Sequence, residues 1–370
     1  MFHALRSRFV AAALGVAVLV SLLGVSGGSA LAEQSHRQAV YTSSNATAGN
    51  AVLVFNRAPD GGLTAAGSFS TGGTGTGAGL GSQGALALNE EGNRLFVVNA
   101  GSNDVSVLAV RQNGLSLLDR VSSGGLMPIS LTVRRHLLYV LNAGTPNISG
   151  FRIEENGHLS PIAGSTQALS AGAAGPAEVA FSPNGEWLAV TEKGSSKIDT
   201  YKVNDHGVAS AAVTTVSHGS TPFGFAFDPR GRLIVSEAAA NAVSSYDVAH
   251  NGALNVVTGS LVDVGQGAPC WVAVTENGRY AYAANAHSGT ITGFKVGHDG
   301  SLTLLNACAI TGQASGLTVL DMAFSDGDKF LYVLNGMDKK FNVFAVGSDG
   351  SLTNVGNSGA FTTSAGIAAR

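Results

Sequence analysis

Charge is scarce in this chain. Only 12% of its 370 residues are Asp, Glu, Lys or Arg, against about 25% in an ordinary globular domain. The 24 acidic and 21 basic residues form no basic run, so the electrostatic footprint of a nucleic-acid-binding protein is missing. Two cysteines, Cys270 and Cys308, are too few for a disulfide scaffold. No Cys/His spacing suits zinc, no serine-nucleophile elbow occurs, and no heptads run along the chain. Beyond residue 32 no apolar stretch is long enough to cross a bilayer.

The first 32 residues read differently. Arg6 and Arg8 precede the apolar run "FVAAALGVAVLVSLLGV" and the small-residue stretch "SGGSALA". This is the pattern of a secretory signal peptide, with cleavage expected after Ala30-Leu31-Ala32. The mature protein, residues 33–370, is expected as one domain, secreted or periplasmic, with no membrane span once the leader is removed. Removal of the two arginines shifts the formal charge from −3 to about −5.

Glycine is plentiful, with 50 residues, and that abundance beside so little charge favours strands and turns over helices. "YVLNAG" at Tyr139–Gly144 is nearly repeated by "FVVNAG" at Phe96–Gly101 and partly by "YVLNG" at Tyr332–Gly336. Six full copies align around Asn99, Asn142, Glu192, Glu237, Asn285 and Asn335, at spacings of 43, 50, 45, 48 and 50 residues. Such spacing fits a blade of four strands. Within each copy an apolar strand such as "EVAF" enters a turn such as "SPNG". A second strand reaches the anchor residue, an alternating strand such as "KIDTYKV" returns, and an Asn-Gly or Asp-Gly turn leads outward. The N-terminal copy lacks its opening strand, and "TTSAGIAAR" at the C-terminus matches the missing piece. The expected fold is all-β: a seven-bladed β-propeller of four-stranded antiparallel blades, the ring closed by a C-terminal strand completing the N-terminal blade.

In a propeller the starts of the innermost strands and the ends of the second strands gather at one mouth of the central channel. Ser130, Glu178, Phe223, Cys270 and Asp321 fall at the first set of positions. Ser44, Asn99, Asn142, Glu192, Glu237, Asn285, His287 and Asn335 fall at the second. Asn99, Asn142, Glu237, Asn285, His287, Asp321 and Asn335 are therefore candidates to bind a small-molecule or cell-surface ligand at the mouth. Glu178, Glu192 and Glu237 are the oxygen donors for a calcium ion, should one bind; no cofactor is required. A monomer is expected. Cys270 and His287 share one blade's mouth and form a conceivable thiolate–imidazole pair. Cys270 and Cys308 start the innermost strand and end the outermost strand of one blade, about 14 Å apart by strand spacing, so two free thiols are expected. "GGTGTGAGLGSQG", Gly72–Gly84, reads as a flexible loop between blades, since neither a βαβ unit nor a lysine accompanies it. "NAT" at Asn45 and "NIS" at Asn147 are glycosylation sequons where a host modifies them.

The phrases "GNRLFVVNAGSNDVSVLAV", "NGRYAYAANAHSGTITGFKV" and "NGHLSPIAGS" resemble those of the lactonase family of seven-bladed propellers, which includes 6-phosphogluconolactonase and a carboxymuconate-cyclising enzyme. The resemblance covers essentially all of the mature chain. Enzymes of that family carry Gly-Pro-Arg-His at one inner-strand start and Asn-Glu-Leu at the following second-strand end. This chain has Gly175-Pro176-Ala177-Glu178 and Thr191-Glu192-Lys193 there, and only Glu192 keeps the acid. Met127-Pro128-Ile129-Ser130, where relatives often place Pro-His, supplies no substitute. Lactone opening needs an electrophile to hold the developing oxyanion and a base to direct water. The departures lead to the expectation of an extracytoplasmic binding or interaction scaffold with a degenerate lactonase site. The alternatives are a secreted lactone hydrolase using Glu192, with Glu178, in a rebuilt site, and a structural component of the cell surface.

Overall fold

The structure, a computed structural model, describes residues 38–170, 174–262, 265–361 and 363–370. The leader expected at residues 1–32 lies outside the described residues. Seven antiparallel sheets form the ring, and among the described residues the regular elements are strands apart from the short turn of helix Asp326–Asp328.

One blade shows how sequence becomes sheet. Pro176–Phe181 lies innermost and pairs with Trp187–Glu192, which pairs with Lys197–Lys202, which pairs with the outermost strand Val213–Val216. The second strand is buried on both faces because blades stack against it on each side, so it reads as a nearly continuous apolar run. The outermost strand alternates between half-buried and exposed, as period-two geometry requires of a strand with one face in water. The Asn-Gly and Asp-Gly turns adopt the positive φ expected of them: +89° at Gly157, +86° at Gly300 and +85° at Gly350.

These turns also join neighbouring blades. The carbonyl of a turn glycine accepts a hydroxyl from the preceding blade at five junctions: Tyr139 Oη to Gly207 (2.7 Å), Thr200 Oγ1 to Gly252 (2.6 Å), Ser245 Oγ to Gly300 (2.7 Å), Tyr282 Oη to Gly350 (2.9 Å) and Tyr332 Oη to Gly61 (2.9 Å). Each buried hydroxyl is thereby satisfied, so a tyrosine can contribute its ring to the core without an unpaired polar atom.

The last of these junctions sits where the ring closes. Ala365–Ala369 pairs antiparallel with Ala39–Ser43, with Thr42 opposite Ile367, and becomes the innermost strand of the N-terminal blade. Thr42 Oγ1 donates to the Gly366 carbonyl at 2.7 Å. The C-terminal segment completes the N-terminal blade as its sequence predicts.

Candidate functional site

The anchor residues of the repeat turn inward. Asn99, Asn142, Glu192, Glu237, Asn285 and Asn335 are all 0% exposed, and each side chain is held by hydrogen bonds. Asn99 Nδ2 donates to Ser106 Oγ at 2.8 Å, Asn285 Nδ2 to Thr292 Oγ1 at 2.8 Å and Asn335 Nδ2 to Asn342 Oδ1 at 3.2 Å. Ser244 Oγ donates to Glu237 Oε1 at 2.7 Å, and Ser43 Oγ to Asn50 Oδ1 at 2.9 Å in the N-terminal blade. Every one of these pairs is seven residues apart, because the end of the second strand faces its diagonal neighbour on the third. Asn99, Asn142 and Glu237 also hold the segment arriving from the preceding blade. Thr71 Oγ1 donates to Asn99 (2.7 Å), the Gly219 amide to Glu237 (2.7 Å) and Asn142 to the Ser123 carbonyl (3.2 Å). The anchors therefore act as clasps between strands and inter-blade segments.

Glu192 follows this rule with an acidic partner. Its Oε1 accepts the Ser170 amide at 2.8 Å, and its Oε2 accepts Ser170 Oγ at 2.6 Å and the Ser195 hydroxyl. Asp199, seven residues on, takes the same Ser170 amide at 2.8 Å. Burial, then hydrogen bonding to Glu192, raises the Asp199 carboxyl to about 6, against the opposing effect of Thr214. Glu237 is bonded further by Ser260 Oγ at 2.6 Å. Glu178, Glu192 and Glu237 thus have separate sets of partners. Among the described residues, no group of three or more His, Cys, Asp or Glu is disposed to hold a metal ion.

The channel itself is crossed by the glycine-rich stretch. Residues 71–85 do connect two blades, as their sequence predicts, but Gly79–Gly84 forms a strap bonded to five others. Ser82 Oγ donates to the Ile129 carbonyl at 2.8 Å and the Leu131 amide donates to the Gly84 carbonyl at 2.8 Å. The Gln83 amide donates to Ala177 O at 3.1 Å. Gln83 Nε2 reaches Val272 O at 2.8 Å and Phe225 O at 3.4 Å, and its Oε1 accepts the Val272 amide at 3.0 Å. Trp271 Nε1 donates to Ser82 O at 2.9 Å, and the Gly84 amide to Asp321 Oδ2 at 3.3 Å. Gly224 makes room for this crossing: a Cβ there would lie 2.2 Å from Gln83 Oε1. The near end of the strap is fixed by Asn45, whose Nδ2 donates to Thr76 Oγ1 (2.9 Å) and Ala78 O (2.6 Å). That sequon asparagine is buried.

Beside the strap lie two carboxyl groups from inner-strand starts. Glu178 accepts the Phe225 amide at 2.6 Å, and burial, with a smaller contribution from Asp321, drives its carboxyl well above the usual range. Burial raises Asp321 to about 7, against the opposing bonds from the amides of Gly84, Met322 and Ile367. The fold therefore brings Glu178 and Asp321 into one channel and leaves Glu192 and Glu237 in their clasps. Lys193, next to Glu192, sends its ammonium over the Phe223 ring, 4.7 Å from the centroid, and onto the Gly81 carbonyl. Burial lowers the Lys193 ammonium, and the neighbouring Cys270 opposes that shift. Cys270 is buried and its thiol is pushed up to about 12 by burial. No hydrogen bond joins it to His287, which is exposed on the turn after Asn285. Cys308 is exposed, and both thiols are free. A cavity of about 240 Å³ opens at the mouth between the strap, Trp271, Leu320, Asp321, Leu334 and residues 364–366.

Gln83, Trp271 and Lys193 are functional candidates that the sequence alone does not reveal. The signal for Lys193 is its place directly after Glu192, where the family motif has leucine. Gln83 is the one long polar side chain in "GLGSQG".

A seven-bladed propeller with a small polar-footed cavity at one mouth is the class of protein that fold and site define. A family model described as "Lactonase, 7-bladed beta-propeller" matches residues 36–172, 163–259 and 234–319, and the chain belongs to this family. Among solved structures, the periplasmic gluconolactonase of Pseudomonas aeruginosa is similar at 17% identity and TM-score 0.73, covering 90% of this chain and 98% of that one. A proposed 6-phosphogluconolactonase from Bacteroides fragilis is similar at 18% identity and TM-score 0.71, again over 90% and 98%. A Lactobacillus plantarum protein reaches TM-score 0.74 at 17% identity, over 89% and 98%. The chain matches no curated protein sequence.

Proposed function

We propose that this chain is an extracytoplasmic small-molecule-binding propeller that retains the lactonase scaffold without its hydrolytic site. The observation that carries this reading is the Gln83 amide bonded to the Ala177 carbonyl. That bond lays the strap over the inner-strand position where the resemblance implies an arginine. The adjoining Glu178 occupies the position of the implied histidine, and a buried carboxyl held toward its protonated form is a poor base for directing water. Glu192, the acid that the motif keeps, has both oxygens engaged by Ser170, with Ser195 adding to one. The sequence of residues 1–32 supports a location outside the cytoplasm, and so does the periplasmic description of the Pseudomonas aeruginosa relative. The test is a pH-stat assay of the purified chain against sugar and aliphatic lactones, with Glu192→Gln and Glu178→Gln alongside. The expected result is no protein-dependent acid release. Turnover that disappears in either variant would instead make this a lactone hydrolase with a rebuilt site.

A further inference from the structure

The cavity at the mouth has walls of Leu80, Trp271, Leu320, Leu334 and Ala365, and one ionisable group, Asp321, at its edge. Asp321 is 4% exposed, accepts only backbone amides and has no basic partner among the described residues. A buried carboxylate without a counter-ion is costly, and a cation that seats against it relieves that cost. Trp271 is fixed in place by its bond to Ser82 O, and an indole attracts an ammonium as well as an apolar body. We propose that this cavity binds a small organic ammonium ion, its nitrogen on Asp321 and its apolar part against Trp271, Leu320 and Leu334. The assignment rests on reading the mouth as a ligand site and adds the ligand's chemical class.

Size supports a compact ligand. A cavity of about 150 Å³ holds benzene, so about 240 Å³ accommodates benzylammonium. The titratable neighbours are few. The strap contributes none between Gly79 and Gly84, and the C-terminal strand contributes none between Ala365 and Ala369. Glu178 is acidic and acts on the same channel, and Lys193, beside Cys270, sends its ammonium over Phe223 and onto the carbonyl of Gly81, itself a lining residue. Ser364 lines the cavity and its hydroxyl makes no hydrogen bond among the described residues, so a large side chain there blocks the opening without breaking a hydrogen bond.

The experiment is calorimetric titration of the full chain with benzylammonium, benzyl alcohol and benzoate at about pH 6 and about pH 8. Benzylammonium is expected to bind best. Because the carboxylate of Asp321 must be ionised and ionises near 7, binding should tighten by about tenfold at the higher pH. Asp321→Asn should weaken it by at least about tenfold, and Ser364→Trp should abolish it, with melting curves confirming that both variants fold. Equal or tighter binding of benzyl alcohol or benzoate rejects the ammonium class while keeping the mouth a ligand site. Silence of all three ligands, or no effect of either variant, also overturns the proposal. Lactone turnover in the separate assay would overturn the underlying reading instead.

Discussion

Glu192 and Asp199 accept the same backbone hydrogen, the Ser170 amide, each at 2.8 Å. Other clasps pair an amide with a hydroxyl or another amide, or a carboxylate with a hydroxyl; here two carboxyl groups share one donor in a buried place. Folding therefore raises Asp199 from 3.8 to about 6, chiefly by burial. Between those values the folded chain keeps a proton that the unfolded chain has lost, so stability falls as pH rises through that window. Asp199→Asn should flatten this part of the curve, leaving the slope due to Glu178 and Asp321, whose carboxyls are also raised. Urea titrations at about pH 4, 5 and 6 measure it. An unchanged slope in the variant would sink the assignment.

Gln83→Ala should destabilise the whole ring. It removes the bonds of both side-chain atoms to Val272 and leaves an amide and a carbonyl of a buried inner strand unpaired. The expected loss is about 2–4 kcal/mol, read as a lower midpoint in denaturant. A change below about 0.5 kcal/mol, the range of ordinary surface substitutions, would mean that the strap rests in the channel without holding it together.

Tyr332→Phe tests the hydroxyl at the closing junction. It deletes the bond to Gly61 O while keeping the ring in the core, and should cost about 1–2 kcal/mol. A Tyr332→Phe protein with an unaltered melt would show that water replaces the hydroxyl at no cost.

The two thiols should behave as opposites. Cys308 is exposed, whereas Cys270 is buried with its thiol raised to about 12. A chromogenic disulfide reagent at mildly alkaline pH should titrate one thiol in the native protein and two after denaturation. Rapid modification of Cys270 in the native state would mean that the strap and Phe223 do not shield it.

The architecture was legible because the repeat carries its own register. Turn glycines, apolar second strands and the orphan segment "TTSAGIAAR" each identify a place in a blade. The anchor position was equally visible, since Asn99, Asn142 and Asn335 recur in near-identical phrases. Its role was not, because a strand's end fixes where a residue lies and not which way its side chain turns. The answer is written seven residues later, in Ser106, Ser244, Thr292 and Asn342, where small polar residues pass for ordinary strand alternation. The strap was hidden for another reason. Glycines announce permitted dihedrals and no destination, and Gln83 acquires its partners only after blades far apart in sequence have assembled around it.

The pairing of Ala39–Ser43 with Ala365–Ala369 sets an order in time. The first blade to leave the ribosome is the last of the seven to be finished, because its innermost strand, Ala365–Ala369, is made after the strands of the other six. A growing chain can build the intermediate blades from local hairpins, yet the Thr42 to Gly366 bond spans 324 residues and must await synthesis of Ala365–Ala369. Contacts so distant make closure the slow event, and until then the exposed edge of Ala39–Ser43 is a template for another chain's strand. Loss of the Ala365–Ala369 strand would thus be felt first as aggregation of newly made protein.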